Sequence, residues 1–514
     1  MTQPGNITCG AQPATDPGPR RSLILAGGGM RVAYQAGVLQ ALFEAGLTFS
    51  HADGTSGGTM NLAMLLSGLS AAEMCDRWRT LDVKDFASYL PVADYLKAAN
   101  LEAVGTAEGV VQKVFPHLGI DIARINAAQG MAGTFNVCNF SSKTSEVVEH
   151  TRLDMDYLVA GISLPIFMPP VAKAGSLYLD SVWIRDANLM EAVRRGAEEI
   201  WVVWCIGNAG VYRTGAFHQY VHMIELSANG ALFGDFERIG ELNAAILAGQ
   251  APGGRTRPIR LHLVRPQWPL PLDPDYFLGR IDAATLIAMG YADAKRYMAT
   301  MKPEGLPWTP EATRMNDPKL GIAFREVMSG GFALGETDPA TGAAKGKNTG
   351  DILAMHAAIT IQDVDRFIAD PEHLGQINGS IDYGPYGENI LATSGVFNLF
   401  SPTDNPDLKL MVYEMGFQHG GTDYYLAGKK EVRKHSILDL WHDTTTLLTQ
   451  LHQGTDKSGP VVGAGVLSLG PLDLTRMVST MHALNANSTA EAAEAVGRFG
   501  KFFMGELWES YCKL

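Results

Sequence analysis

The sequence predicts an α/β fold with a mostly parallel sheet flanked by helices, followed by a second, β-rich α+β domain. Three observations carry this. Through residues 21–302, short apolar runs alternate with segments of helical periodicity, and two glycine-rich turns each join a strand to a helix. Past a proline-rich stretch, short alternating runs are separated by Gly, Asn, Asp and Pro clusters, the pattern of strands and turns. A chain of 514 residues is too long for one hydrophobic core, so two domains are expected.

The first strand is Ser22-Leu23-Ile24-Leu25-Ala26, which stops at Gly27, Gly28 and Gly29. A helix follows over residues 32–45, where Val32, Ala36, Leu39, Leu42 and Phe43 recur at helical spacing and Gly46 supplies the stop. The unit then repeats, with a strand over 47–52, a tight turn over 54–58 and a helix over 59–69. Residues 135–138, 200–204 and 259–264 read as further strands, with a helix over 190–196. Four prolines in 303–318 mark a linker, set at 303–320. In the second domain, 321–514, residues 355–361, 395–400 and 408–415 read as strands, the polar stretch 335–350 as an exposed loop, and 472–484 and 490–511 as helices. Residues 1–20, polar and rich in Pro and Gly, read as a disordered tail without the pattern of a signal peptide.

Composition narrows the function. The formal charge is −13, with no basic block, which argues against nucleic acid as a partner. No run reaches the roughly 18–20 apolar residues that span a bilayer, so any membrane contact is expected to be peripheral and apolar. Cys9, Cys75, Cys138, Cys205 and Cys512 lack metal-ligand or CxxC spacing and read as reduced thiols of a cytoplasmic protein. His117, His150 and His262 have no companion at metal spacing, and neither metal nor cofactor is expected. Oligomeric state is not legible.

The chemistry concentrates in two turns. Gly54-Thr55-Ser56-Gly57-Gly58 has the G-x-S-x-G pattern between a strand and a helix, where small neighbours allow the strained backbone that lifts a nucleophilic hydroxyl out of the sheet. A serine nucleophile also needs donors for its oxyanion, and successive unhindered N–H groups in Gly27, Gly28 and Gly29, with Gly57 after the serine, can supply them. Phosphate binding by a glycine loop is the rival, but Val32 stands where a dinucleotide fingerprint needs its last glycine, and no Walker lysine follows. Arg31 either orders the loop or contacts a lipid head group. His51, five positions before Ser56 on the strand, is expected to lie away from the nucleophile.

These residues resemble a known family. Residues 22–46, with Gly27-Gly28-Gly29-Met30-Arg31 and Tyr34-Gln35-Ala36-Gly37-Val38-Leu39, look like the oxyanion block of patatin-like phospholipases. Residues 54–58 match their nucleophile elbow, and residues 160–171 resemble the segment before their catalytic aspartate. The resemblance covers roughly residues 22–301. It implies a Ser-Asp dyad of Ser56 and Asp180, working through an acyl-enzyme on fatty-acyl esters (phospholipids, acylglycerols and related lipids). Asp180 is followed by Ser181-Val182, where the family usually carries Gly-Gly or Gly-Ala. Asp186 is the alternative acid, otherwise a helix cap. In the second domain, residues 324–330, 364–367 and 498–508 resemble an accessory module of bacterial cholesterol-oxidase-like flavoproteins, which implies no oxidase activity and at most a lipid-presenting or steroid-sensing role. The function expected is therefore a lipid acyl-ester hydrolase; a catalytically impaired lipid-binding scaffold and an acyltransferase on the same fold are the alternatives.

Overall fold

The first domain is built on one sheet of eight strands, in a computed structural model that describes residues 18–86, 103–433 and 444–511. Most of the expected tail, together with Cys9 and Cys512, lies outside the described residues. The strands are β1 (Arg21–Leu25), β2 (His51–Gly54), β3 (Ala132–Asn139), β4 (Thr144–Glu149), β5 (Val171–Lys173), β6 (Ser176–Asp180), β7 (Glu199–Val203) and β8 (Arg260–Val264). Their order is β5-β6-β3-β2-β1-β7-β8, with β4 paired to β3. The central β3-β2-β1-β7-β8 ladder is parallel, while β4, β5 and β6 join antiparallel. The sheet is thus mixed, with the expected parallel centre.

β1 is apolar on both sides because helices cover both faces of the sheet, whereas β2 beside it buries His51 and Asp53. Leu23 and Leu25 of β1 enter one core with α1 (Ala33–Glu44) and α2 (Gly57–Leu66), and Ile24 enters a second with α3 (Ala216–Leu247). A further helix, α4 (Ala283–Thr300), packs on α1 in the first core. The stretch read as a linker is held down: Ala312 and Met315 belong to the second core, and Leu306 and Trp308 pack against it.

The second domain is a closed antiparallel barrel of eight strands. They are β9 (Gly321–Leu334), β10 (Ile352–Ile361), β11 (Leu374–Tyr383), β12 (Gly387–Pro402), β13 (Leu408–His419), β14 (Thr422–Arg433), β15 (Thr446–Gln453) and β16 (Val461–Ser468). Each pairs with the next, and β9 meets both β10 and β16, which closes the ring and removes free edges. Ile322, Phe324, Met355, Ile381, Tyr413 and Met415 share its core.

Two expectations are corrected. Residues 335–350 are mainly helical: α5 (Pro339–Thr349) has Asp338 as its cap, accepting from Thr341 N–H, Pro339 in its first turn and Gly350 in the left-handed conformation at its end. Residues 472–484 divide into α6 (Pro471–Thr480) and β17 (His482–Leu484), which pairs with the start of β9. The final helix, α7 (Thr489–Tyr511), follows its expected bounds closely.

Candidate active site

Sheet register brings the serine and the aspartate together. With β4 along one edge of β3, β2 and β6 follow one another along the other: Gly54 lies opposite Phe135 and Asp180 opposite Val137. A turn after β2 and the end of β6 therefore converge on one point, although 124 positions separate Ser56 from Asp180.

Ser56 has φ 52° and ψ −131°, a conformation costly for any residue with a side chain. It is sustained by close approach on both sides. A Cβ on Gly57 would lie 2.5 Å from the Gly29 carbonyl oxygen, and one on Gly58 would lie 2.1 Å from that of Leu25. Only glycine fits at either position, so the elbow is locked against the glycine turn and the end of β1. Beneath it, Asn136 Nδ2 donates to Thr55 Oγ1 at 2.9 Å and to the Asp53 carboxyl, and Thr134 also donates to Asp53. Burial raises Asp53 to about 7 against these hydrogen bonds.

Asp180 is fully buried, and burial raises its carboxyl to about 7, offset in part by the Ser56 hydroxyl and the Val182 N–H. Oδ1 accepts from Val182 N–H at 2.9 Å, while Oδ2 has no hydrogen-bond partner. The side chains that replace the usual glycines are absorbed. Ser181 Oγ pairs with Ser145 Oγ at 3.0 Å, and Val182 enters the second core. An aromatic wall adjoins the site: Tyr220 stacks edge-on with Phe167 and Trp183, its hydroxyl donates to the Pro165 carbonyl at 2.9 Å, and its pKa is raised by burial and by Asp180.

The glycine turn is clamped by two carboxyls. Gly27 N–H donates to both oxygens of Asp186 at 3.0 Å, and Met30 N–H donates to Asp273 Oδ1 at 3.0 Å. Gly27 is therefore corrected as an oxyanion donor, because its N–H is already engaged. The N–H groups of Gly28, Gly29 and Gly57 have no partner among the described residues. Asp186 is corrected as a cap as well: Asn188 caps the helix Leu189–Arg194, accepting from Glu191 N–H. Burial, then the charge of Asp180, pushes Asp186 well above the usual carboxylate range. Arg31 orders the loop, its Nε donating to the Gly28 carbonyl at 2.9 Å.

His51 is bound to Ser22 Oγ at 3.2 Å and Thr134 Oγ1 at 2.8 Å, away from Ser56, and burial lowers it to about 3. Cys75, Cys138 and Cys205 are free and buried. Among the described residues no three His, Cys, Asp or Glu side chains group as a metal site, and no helix is long and apolar enough to cross a membrane.

A serine elbow and a clamped glycine turn at adjacent strand ends, on a mixed sheet between helical layers, form one candidate site of an α/β domain. More particularly, residues 23–193 match the family model described as patatin-like phospholipase, and the chain carries a patatin-like phospholipase domain there. Ser56, Asp180 and Asp186 all fall inside it. Among solved structures, VipD from Legionella pneumophila is similar at 11% identity, covering 55% of this chain and 67% of that one with a TM-score of 0.27. ExoU from Pseudomonas aeruginosa, solved in complex with SpcU, is similar at 13% identity, covering 57% and 76% with a TM-score of 0.18. No curated protein sequence matches.

Sequence reasoning missed Asp273 and the Tyr220–Trp183 wall. Asp273 lies 243 positions from Met30, within a proline-rich stretch that carries no periodicity. Only its proximity to Pro274, at the start of a short helix, distinguishes it locally.

Proposed function

We propose that this protein is a lipid acyl-ester hydrolase in which Asp180 accepts the Ser56 proton as the hydroxyl attacks an ester carbonyl. The acyl group moves to Ser56 Oγ, the alcohol leaves with the proton, and water then releases the fatty acid by the reverse sequence. The oxyanion would be met by Gly28, Gly29 and Gly57, each such donor being worth about 3 kcal/mol in the transition state.

The observation that carries this reading is the strained Ser56 beside a buried carboxyl held near pH 7, a basicity suited to proton acceptance under ordinary conditions. Asp180 is preferred to Asp186 because its Oδ2 has no hydrogen-bond partner, while both oxygens of Asp186 hold Gly27. Hydrolysis of a chromogenic medium-chain acyl ester tests it. Ser56→Ala and Asp180→Asn are expected to lose at least about 10³-fold in kcat while remaining folded. Activity surviving in Asp180→Asn would move the base to Asp186, and a folded wild type that binds the ester without turnover would favour the scaffold.

A further inference from the structure

A cleft of about 1680 Å³ runs between the two domains, and neither Ser56 nor Asp180 lines it. Its walls carry six Lys or Arg side chains against four carboxylates, a local excess of positive charge in a chain of net charge −13. Four of these cations are paired in place, Arg280 with Asp275, Arg296 with Asp293, Arg325 with Asp282 and Lys295 with Glu44, and a fifth, Arg31, donates to the Gly28 carbonyl at the glycine turn. Arg213 differs. It is half-buried, burial lowers its pKa, and its guanidinium makes no hydrogen bond or ion pair among the described residues.

The carboxylates that act on Arg213 through space are Asp275, Glu491 and Glu225, and each is committed elsewhere. Asp275 holds Arg280 at 3.0 Å, Glu491 accepts from Asn487 N–H, and Glu225 holds His222 Nδ1 at 3.0 Å. His218, also at this wall, has its pKa lowered by burial and by Arg213. A half-buried guanidinium that no hydrogen bond or ion pair holds keeps its donors free for an anionic group.

Arg213 is flanked by apolar side chains that face the same cleft. Val211 is 38% exposed and Phe217 39%, and on the barrel side Leu374 is 59% exposed. One segment thus brings a cation and two apolar side chains to the cleft, whose barrel wall carries the apolar Leu374. That is the chemistry of a charged head with an alkyl tail. We propose that the interdomain cleft binds a single-chain anionic amphiphile, a fatty carboxylate or an alkyl phosphate, with Arg213 at its head and Val211, Phe217 and Leu374 along its tail.

The test is calorimetric titration of the full chain carrying Ser56→Ala, so that binding is read independently of the hydrolase reading. Probes are dodecanoate, dodecyl phosphate, dodecanol and inorganic phosphate, all below micelle-forming concentrations. Both anionic amphiphiles are expected to bind saturably, and dodecanol and inorganic phosphate about tenfold more weakly or not at all. Adding Arg213→Gln should weaken the anionic probes about tenfold, which is about 1.4 kcal/mol, and leave dodecanol unchanged. Adding Leu374→Ser, a neutral change at an exposed position where folding is not at risk, should weaken both anionic amphiphiles. Unchanged binding in both variants would place the amphiphile elsewhere and overturn the proposal, as would inorganic phosphate matching dodecyl phosphate, or no binding at all. Ester hydrolysis by Arg213→Gln with Ser56 intact is expected to equal wild type.

Discussion

Asp180 combines two demands that oppose each other: a base must ionise, and burial disfavours ionisation. Because its carboxyl is raised to about 7, the folded chain keeps a proton that the unfolded chain gives up near pH 4. Its cost to stability is therefore absent below about pH 4, grows as pH rises towards 7, and is constant above that. Asp180→Asn is accordingly expected to raise the melting temperature by a few degrees at pH 8 and by almost nothing at pH 4, read from melting curves at the two pH values. An equal gain at both would show that Asp180 is not perturbed in this way. Wild-type hydrolysis should follow the opposite course, rising with pH through about 7. Asp273 acts at a different atom. Its carboxyl accepts the Met30 N–H, and a Cβ on Gly29 would lie 2.5 Å from its Oδ2, so it supports the turn from outside. As a positioning residue, it predicts that Asp273→Ala lowers kcat about 10- to 100-fold with KM nearly unchanged, and that Asp273→Asn, which keeps the acceptor, restores most of it. A loss confined to KM would rule that role out.

The elements differ in how openly the sequence announces them, and the difference is one of range. The strand, turn and helix around Ser56 are contiguous, so apolar periodicity and small residues disclose them directly; the same holds for α1 and its glycine turn. Helix α5 does not announce itself. Its segment is polar and rich in small residues, so no apolar stripe marks a buried face, yet it packs on the barrel through its glycines. A Cβ on Gly342 would lie 2.0 Å from the Ala464 carbonyl oxygen, and one on Gly346 would lie 2.2 Å from Phe332 N. Close backbone approach replaces apolar packing here, and only the cap signals, Asp338-Pro339 and Gly350, were present to find it. Gly342→Val is therefore expected to cost about 3 kcal/mol or more, since the obstacle is strand backbone and cannot rotate aside. Urea unfolding of the full chain checks this, and a change below about 0.5 kcal/mol would mean that α5 is loosely held.

At the scale of the whole molecule, two domains were legible from the change in composition, but neither the closure of the barrel nor its contact with the first domain was. Closure depends on β9 meeting both β10 and β16, a pairing across more than a hundred residues that local alternation does not encode. The contact rests on neighbouring residues of opposite allegiance. Ala392 belongs to the barrel core, while Leu391 leaves the barrel and joins the first domain's core, near where α4 packs on β11 and β12. Lys295 Nζ adds a hydrogen bond to Gln418 at 3.0 Å, and Arg325 an ion pair to Asp282 at 3.2 Å. The ion pair is partly exposed and of small value, so the apolar contact is the main coupling between the domains. Leu391 is 5% exposed, and placing a carboxylate there removes about 2–3 kcal/mol of burial and adds a charge without a partner. The two domains of the wild type are expected to unfold together in one calorimetric transition. In Leu391→Asp the transition should split in two, with the barrel's own core intact and ester hydrolysis retained at 25 °C, because Leu391 sits on barrel strand β12 and is part of neither the elbow nor the clamped turn. A single unshifted transition in the variant would show that the domains are coupled through other contacts, and the interdomain cleft would then depend on those instead.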